Sequence, residues 1–316
     1  MSGSWQAQPE RGSPLALRCI LWIALRIGRP VARILRYPIC LYFLLTARTA
    51  RRASRQFLPR AGVRHAGIRH VLRHLHTFGA VVLDRVYFLR GETRRFDLRL
   101  HLDPRADAAL GNGEGALLLG SHLGSFDALR ALAITGHRVP LRVLMRHEHN
   151  RLITRLLEAL DPRVSETVIP IGRPDTLLRS KEWVDAGGTV ALLGDRADQA
   201  SAGRRRLVHC RFLGRDTLLP SGPLRLAATL DVPVMLFFGL YRGGNRYDIH
   251  LEWFADRGEL PRDDDEALAA EVRRYAERLE AYVCHAPYNW FNFYDFWAQD
   301  DTAAPLATAA HARHAD

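Results

Sequence analysis

Leu117-Leu118-Leu119-Gly120-Ser121-His122-Leu123-Gly124-Ser125-Phe126-Asp127 reads as a buried apolar strand that runs into a small-residue turn and then into a helix. The turn carries a histidine and, five positions on, an aspartate. On one continuous helix, residues five apart would diverge by about 140° around the axis. The two side chains converge only if His122 precedes the helix and Asp127 lies in its first turn. Gly120 and Gly124 supply backbone freedom for such a turn, and Ser121 or Ser125 is placed to cap the helix.

A histidine beside a carboxylate is half of an acid/base device. The carboxylate takes the proton of one ring nitrogen and fixes the tautomer, which leaves the other nitrogen to accept a proton from a hydroxyl. The alternative is a loop histidine bonded to a nearby carboxylate for structure alone. The chain has 14 histidines, so spacing by itself does not separate the two.

With 316 residues, 47% of them hydrophobic, the chain can bury the core of one large domain plus an appendage. Its net charge is +11, carried almost entirely by arginine, with Lys181 the sole lysine. Guanidinium suits phosphate, so the charge invites lipid headgroups, an acidic carrier protein or nucleic acid. Cys19, Cys40, Cys210 and Cys284 show no C-x-x-C spacing, which fits a reducing compartment and argues against a zinc site or a disulfide framework.

From Leu15 to Ala47 the sequence is apolar and aromatic, but Arg18, Arg26, Arg29, Arg33 and Arg36 interrupt it, and Pro30 and Pro38 are expected to break any long helix. No stretch reaches the roughly 18 to 20 uncharged apolar residues of a spanning helix. A cleavable signal peptide is not expected either, because the uncharged run Tyr37–Ala47 lacks a suitably placed small-residue cleavage site. The pattern predicts interfacial helices, with these arginines reaching headgroups and Trp22, Tyr37, Tyr42 and Phe43 anchoring the apolar side. The basic run Arg48-Thr49-Ala50-Arg51-Arg52 would then meet anionic lipid. Two ordinary amphipathic helices packed on the domain are the alternative.

A helix is predicted from Val63 to Arg90. Strands are predicted at Phe96–Leu102, Ala116–Leu119, Pro140–Met145, Val168–Ile171, Thr189–Leu193, Val232–Phe238 and Tyr247–Trp253. Helices are predicted at Phe126–Thr135, His149–Leu160, Asp175–Ala186, Pro220–Leu230 and Asp264–His285. This alternation gives an α/β fold: a mixed, largely parallel sheet flanked by helices, with an N-terminal helical membrane-associating segment. The expected division is 1–60 for that segment, 61–300 for the α/β domain and 301–316 for a disordered tail, with roughly residues 1–12 also disordered.

Ligands of such sheets sit at the carboxyl ends of the strands. Arg142 and Arg146 flank Val143-Leu144-Met145, and Gly194-Asp195-Arg196 follows Thr189–Leu193. Arg146 and Arg196 are candidates to grip a phosphate or polar headgroup. Asp195 is a candidate N-cap or partner of Arg196.

These residues resemble the lysophospholipid acyltransferase superfamily, in its bacterial branch of lipid A biosynthesis lauroyl/myristoyl acyltransferases. The resemblance rests on Gly120-Ser121-His122-Leu123-Gly124-Ser125-Phe126-Asp127 as the H-x4-D block, then Leu193-Gly194-Asp195-Arg196, Phe212-Leu213-Gly214, Leu219-Pro220-Ser221-Gly222-Pro223, Val232-Pro233-Val234 and the early block Arg29-Pro30-Val31-Ala32. It implies acyl transfer from a thioester to a hydroxyl or amine of a lipid-like acceptor at the cytoplasmic face of a bacterial inner membrane. His122 would be the general base and Asp127 its orienting carboxylate. Gly194, Asp195 and Arg196 would bind the polar part of donor or acceptor, with Arg146 as a looser match to the second block. The donor would be an acyl carrier protein or coenzyme A thioester, with no resident cofactor or metal. The absence of a G-x-S-x-G turn agrees with a route that needs no acyl-enzyme.

The run Pro287-Tyr288-Asn289-Trp290-Phe291-Asn292-Phe293-Tyr294-Asp295-Phe296-Trp297 departs from those enzymes. It resembles a side branch of acyltransferases associated with aryl-polyene and xanthomonadin-type pigment lipids. Its rings either close the core or line an acyl groove. Two other classes compete with acyl transfer. One is a metal-dependent phosphoesterase using His122, Asp127 and Asp195. The other is a basic nucleic-acid-binding protein, which dispersed charge and the lack of a recognition motif disfavour.

Overall fold

A computed structural model describes residues 14–129, 139–145, 167–196 and 206–297. The segments expected to be disordered, 1–12 and 300–316, lie outside the described residues, as do the helix expected at His149–Leu160 and most of that expected at Phe126–Thr135.

Four helices come first: α1 (Pro14–Arg26), α2 (Arg29–Thr46), α3 (Arg48–Arg60) and α4 (Ile68–Leu89). They are followed by β1 (Asp97–Leu102), α5 (Pro104–Gly111), β2 (Ala116–Gly120), β3 (Leu141–Met145) and β4 (Val168–Pro170). Next come α6 (Thr176–Asp185), β5 (Thr189–Leu193), the hairpin of β6 (Leu207–Phe212) and β7 (Arg215–Pro220), and α7 (Gly222–Leu230). The chain then forms β8 (Val234–Gly243), β9 (Arg246–Ala255) and α8 (Asp265–His285).

Seven strands form one sheet in the order β1-β9-β8-β2-β5-β3-β4. Every neighbouring pair is parallel except β8 and β9, so β1 and β9 run against the other five. The mixed, largely parallel sheet is therefore as expected from the alternation of elements. Period-2 burial splits the central strands between two layers. Leu117, Leu119, Val190, Leu192, Leu236 and Phe238 face a core with residues of α7 and α8. Leu118, Ala191, Met235 and Phe237 face a second core with residues of α4 and α5. Strands buried on both sides read as near-continuous apolar runs, as Leu117-Leu118-Leu119 does.

Several expectations shift. Pro38 does not break α2, which runs through it, while Pro30 sits in the first turn, where a missing N–H costs nothing. The helix expected from Val63 starts only at Ile68, because His65 has φ of 52°. Helix α5 was not expected. Its signal is Asp103-Pro104, in which the Asp103 side chain accepts from Arg105 N at 2.8 Å and the proline opens the first turn. The hairpin was also not expected. Its turn residues Leu213 and Gly214 both have positive φ, 51° and 75°, as a two-residue hairpin turn requires.

The N-terminal helices are tied to the sheet by the arginines expected at headgroups. Arg29 forms a two-pronged pair with buried Asp84 of α4, at 2.7 and 2.8 Å, and Tyr247 OH donates to Asp84 at 3.0 Å. Arg33 bonds Tyr241 OH and Gly244 O, and Arg36 donates to His76 O at 3.3 Å. Spaced i, i+4 and i+7, the three share the inner face of α2, so they bind protein rather than lipid. The opposite side exposes Ile34, Tyr37, Leu41 and Leu45, and Trp22 of α1 is exposed as well. Phe43 is partly buried. No single helix among the described residues is long and apolar enough to cross a membrane, and the pair α2 and α3 that together would suffice is bent by 92°.

Candidate active site

Strands β2 and β5 are parallel neighbours, with Gly120 in register with Leu193. His122 and Asp195 each lie two residues past that matched pair, so adjacent strands, about 4.8 Å apart, deliver them side by side. The His122 Nδ1 lies 2.7 Å from Asp195 Oδ1, and the His122 backbone N–H donates to the same oxygen at 3.0 Å. Asp195 Oδ2 accepts from Trp290 Nε1 at 3.3 Å and from Asn292 Nδ2 at 3.2 Å.

This carboxylate is fully buried, yet four N–H groups saturate it. Burial alone would favour its neutral form. The imidazole, the adjacent Arg196 and the hydrogen bonds outweigh burial and hold Asp195 down to about 2. An ionised Asp195 accepts the Nδ1 proton of His122, which fixes the tautomer with Nε2 as the basic nitrogen. His122 Nε2 has no hydrogen-bond partner among the described residues, and the side chain is 28% exposed. Burial, followed by the positive charge of Arg196, lowers His122 below the ordinary imidazole value and so favours the neutral base.

The turn that carries His122 is gripped from both sides. Gly124 has φ of 74° and bridges Gly239 of β8. On the other side the C-terminal segment pairs antiparallel with the turn: Phe291 N donates to His122 O and Gly124 N to Asn289 O, each at 2.8 Å. Trp290 is fully buried, and its carbonyl bonds Nε2 of buried His74, whose Nδ1 meets Ser54 Oγ at 3.1 Å. Most of the aromatic run Pro287–Trp297 is thus core material, and part of it is bonded to the His122–Asp195 pair.

Asp127 does not contact His122. It forms an ion pair with Arg85 of α4, Nε to Oδ2 2.9 Å, and the orienting place expected for it is taken by Asp195. Nearness in sequence misled here: the short helical turn Phe126–Ala128 carries Asp127 toward α4, whereas Asp195 is brought in by strand register. The structure places Asp195 and Arg196, expected at a polar headgroup, beside His122 and the C-terminal segment. Asp195 faces the histidine, and Arg196 donates to Asn292 Oδ1 at 2.8 Å and to Phe291 O at 2.9 Å. Gly194 serves packing, since a Cβ there would lie 2.6 Å from Leu119 Cδ1. Arg146 lies outside the described residues.

The ligand set of the phosphoesterase alternative is not assembled. Asp127 is engaged with Arg85, and the oxygens of Asp195 are taken by N–H donors. Among the described residues no cluster of three or more His, Cys, Asp or Glu could hold a metal ion. Trp290, Asn292 and Arg85 were not singled out from the sequence. Only the density of rings and amides after Pro287 hinted at the first two.

A histidine with Nδ1 committed to a buried carboxylate and Nε2 without a hydrogen-bond partner among the described residues, at the carboxyl edge of a parallel sheet, has the geometry of a general base. The model of the bacterial lipid A biosynthesis acyltransferase family matches residues 101–299, a span that contains the whole pair and the strap of residues 287–292. The chain belongs to that family and is an acyltransferase, of a kind that acts on lipid. No curated protein matches it.

Proposed function

We propose that the chain moves a fatty acyl or related polyene acyl group from an acyl carrier protein or coenzyme A thioester to a hydroxyl of a membrane lipid or glycolipid, with His122 as general base. The observation that carries this reading is the 2.7 Å contact between His122 Nδ1 and the buried Asp195 carboxylate. As the acceptor oxygen attacks the thioester carbonyl, Nε2 takes its proton and Asp195 stabilises the imidazolium. The tetrahedral intermediate then expels the thiolate, which leaves with the proton from Nε2 as a thiol. Protons and electrons balance without a covalent acyl-enzyme, a metal or a redox cofactor.

The site of action we propose is the cytoplasmic face of a bacterial inner membrane, with residues 1–60 as the associating segment. Helices α1, α2 and α4 pack in sequence, and each exposes large apolar side chains: Trp22, Ile34 with Leu45, and Phe78 with Val82. Arg48, Arg52 and Arg55 are exposed beside them on α3. Apolar anchors with a basic margin suit an anionic bilayer surface. A net charge of +11 suits an acidic carrier protein as donor. The aromatic ending favours the pigment-lipid side branch over lipid A itself as source of the acceptor.

The test is transfer of labelled acyl groups from an acyl carrier protein thioester to extracted membrane lipid, read by mass spectrometry. His122→Ala is expected to lower transfer by about 10²- to 10⁴-fold with an unchanged circular dichroism spectrum. Near-normal transfer by that variant overturns the mechanism.

A further inference from the structure

Asp195 and Arg196 are neighbours in sequence, both largely buried, and of opposite charge, yet each is committed elsewhere. Asp195 is bound to His122, and the contacts of Arg196 include Asn292 Oδ1 and the Phe291 carbonyl. The Asn292 amide stands between them. Its Nδ2 donates to Asp195 Oδ2 at 3.2 Å while its Oδ1 accepts from Arg196 Nε at 2.8 Å. Asn292 is itself buried, and its backbone is anchored, Asn292 N to Trp290 O at 3.1 Å.

We propose that Asn292 is a positioning residue for the acyl-transfer base: by bonding the carboxylate with its amino group and the guanidinium with its oxygen, it stops Arg196 from pairing directly with Asp195. The proposal rests on the reading of His122 as the base. A direct pair would be the stronger local bond, since guanidinium and carboxylate match in geometry and charge. It would also draw Asp195 away from the imidazole. An amide is the side chain that presents one donor and one acceptor at the same position with no net charge. Leucine could not bond either group, and aspartate could bond only Arg196.

Among the described residues the charged and titratable groups around His122 are few. They are Asp195 and Arg196 directly, Tyr294 whose ring lies 5.7 Å from the Arg196 guanidinium carbon, and Tyr275, whose OH donates to Gly120 O at 3.0 Å. The two tyrosines stay neutral, because burial raises both well above the usual phenol value. Changes at Asn292 are therefore transmitted to His122 by Asp195 and Arg196.

The experiment is an NMR titration of the His122 imidazole in the free full-length enzyme, assigned by loss of its signal in His122→Gln. Asn292→Asp adds a negative charge that pairs with Arg196 and is expected to raise the His122 midpoint by about one pH unit. Asn292→Ala removes the separator, lets Asp195 turn to Arg196, and is expected to lower the midpoint by about half a unit or more. Shifts of opposite sign are not produced by a general loosening of the site. Should Asn292→Ala not fold, Asn292→Ser, which cannot reach both groups, carries the same downward expectation. In turnover, Asn292→Ala is expected to lower kcat about tenfold with KM within about twofold. Midpoints that stay at the wild-type value in folded Asn292→Asp and Asn292→Ser overturn the proposal. The titration uses no substrate, so its outcome is separate from failure of thioester-dependent transfer, which would sink the acyl-transfer reading instead.

Discussion

Gly124 and Gly239 meet backbone against backbone. A Cβ on Gly124 would lie 2.0 Å from Gly239 O, and one on Gly239 would lie 2.3 Å from Ser125 O. Neither position has room for a methyl group, and the atoms in the way are main chain, so nothing can step aside. Gly239→Ala is expected to destabilise the fold by about 3 kcal/mol or more and to disable transfer, because the displaced turn carries His122. Gly214→Ala is the comparison: φ is positive there, as at Gly124 and unlike Gly239, but nothing lies within 4 Å. It should cost about 1 kcal/mol and leave transfer unchanged. Urea denaturation of the two variants checks both figures.

Asp195 and Asp127 should separate in their effect on the pH profile. Activity is expected to rise with pH through a midpoint below the ordinary imidazole value of 6.5, as His122 loses its proton. Asp195→Asn removes the partner that holds the tautomer and supports the imidazolium, so transfer falls by about 10²- to 10⁴-fold and the residual midpoint moves lower. Asp127→Asn should leave the midpoint in place, because its partner is Arg85. Its effect should be non-additive with Arg85→Gln in a double-mutant cycle. An unmoved midpoint in Asp195→Asn together with a moved one in Asp127→Asn would restore Asp127 as the orienting group.

Much of this layout was legible in the sequence, and the limit was register. The turn at His122 and the block Gly194-Asp195-Arg196 both stood out, each at the end of a strand that the apolar pattern placed correctly. That they form one pair follows from Gly120 lying opposite Leu193, a fact of sheet order that no local pattern encodes. Arg29, Arg33 and Arg36 show the same limit. They were expected to reach headgroups from interfacial helices, but whether they met lipid or protein depended on Asp84 and the tip of the β8–β9 hairpin.

The Arg29–Asp84 pair should behave as a buried ion pair. Asp84 is fully buried and shared with Tyr247 OH. Removing one charge strands the other, so Arg29→Met or Asp84→Leu alone is expected to cost about 3–5 kcal/mol. The double variant should recover most of that loss. Chemical denaturation of the three variants tests this, and an additive double variant would contradict it.

His74 links stability to pH. Burial pushes it down to about 4 from 6.5, against a partly opposing bond from the Trp290 carbonyl. Between those values the unfolded chain binds a proton that the folded chain refuses. Its contribution is complete above 6.5 and is lost as pH falls toward about 4, by up to about 3 kcal/mol. His250, also lowered to about 4, adds with the same sign. The melting temperature should therefore drop over that interval, and less steeply in His74→Gln than in the wild type.

The exposed apolar face should govern membrane binding. Trp22, Ile34 and Leu45 are 59%, 66% and 68% exposed. Changing each to serine is expected to weaken partition onto vesicles containing phosphatidylglycerol by about tenfold per site. Binding to phosphatidylcholine vesicles should be weak throughout and insensitive to salt. Undiminished partition of the triple variant in sedimentation would dismiss this face as the contact.

The strap of residues 289–292 sets an order in time. During synthesis the N-terminal helices emerge before the histidine turn, and Trp290 and Asn292 arrive some 170 residues after that turn. Until then Asp195 lacks two of its donors, and the His122 turn is held on the Gly239 side alone. A chain that stops short of Trp290 and Asn292 therefore carries His122 and Asp195 without the arrangement that holds them together.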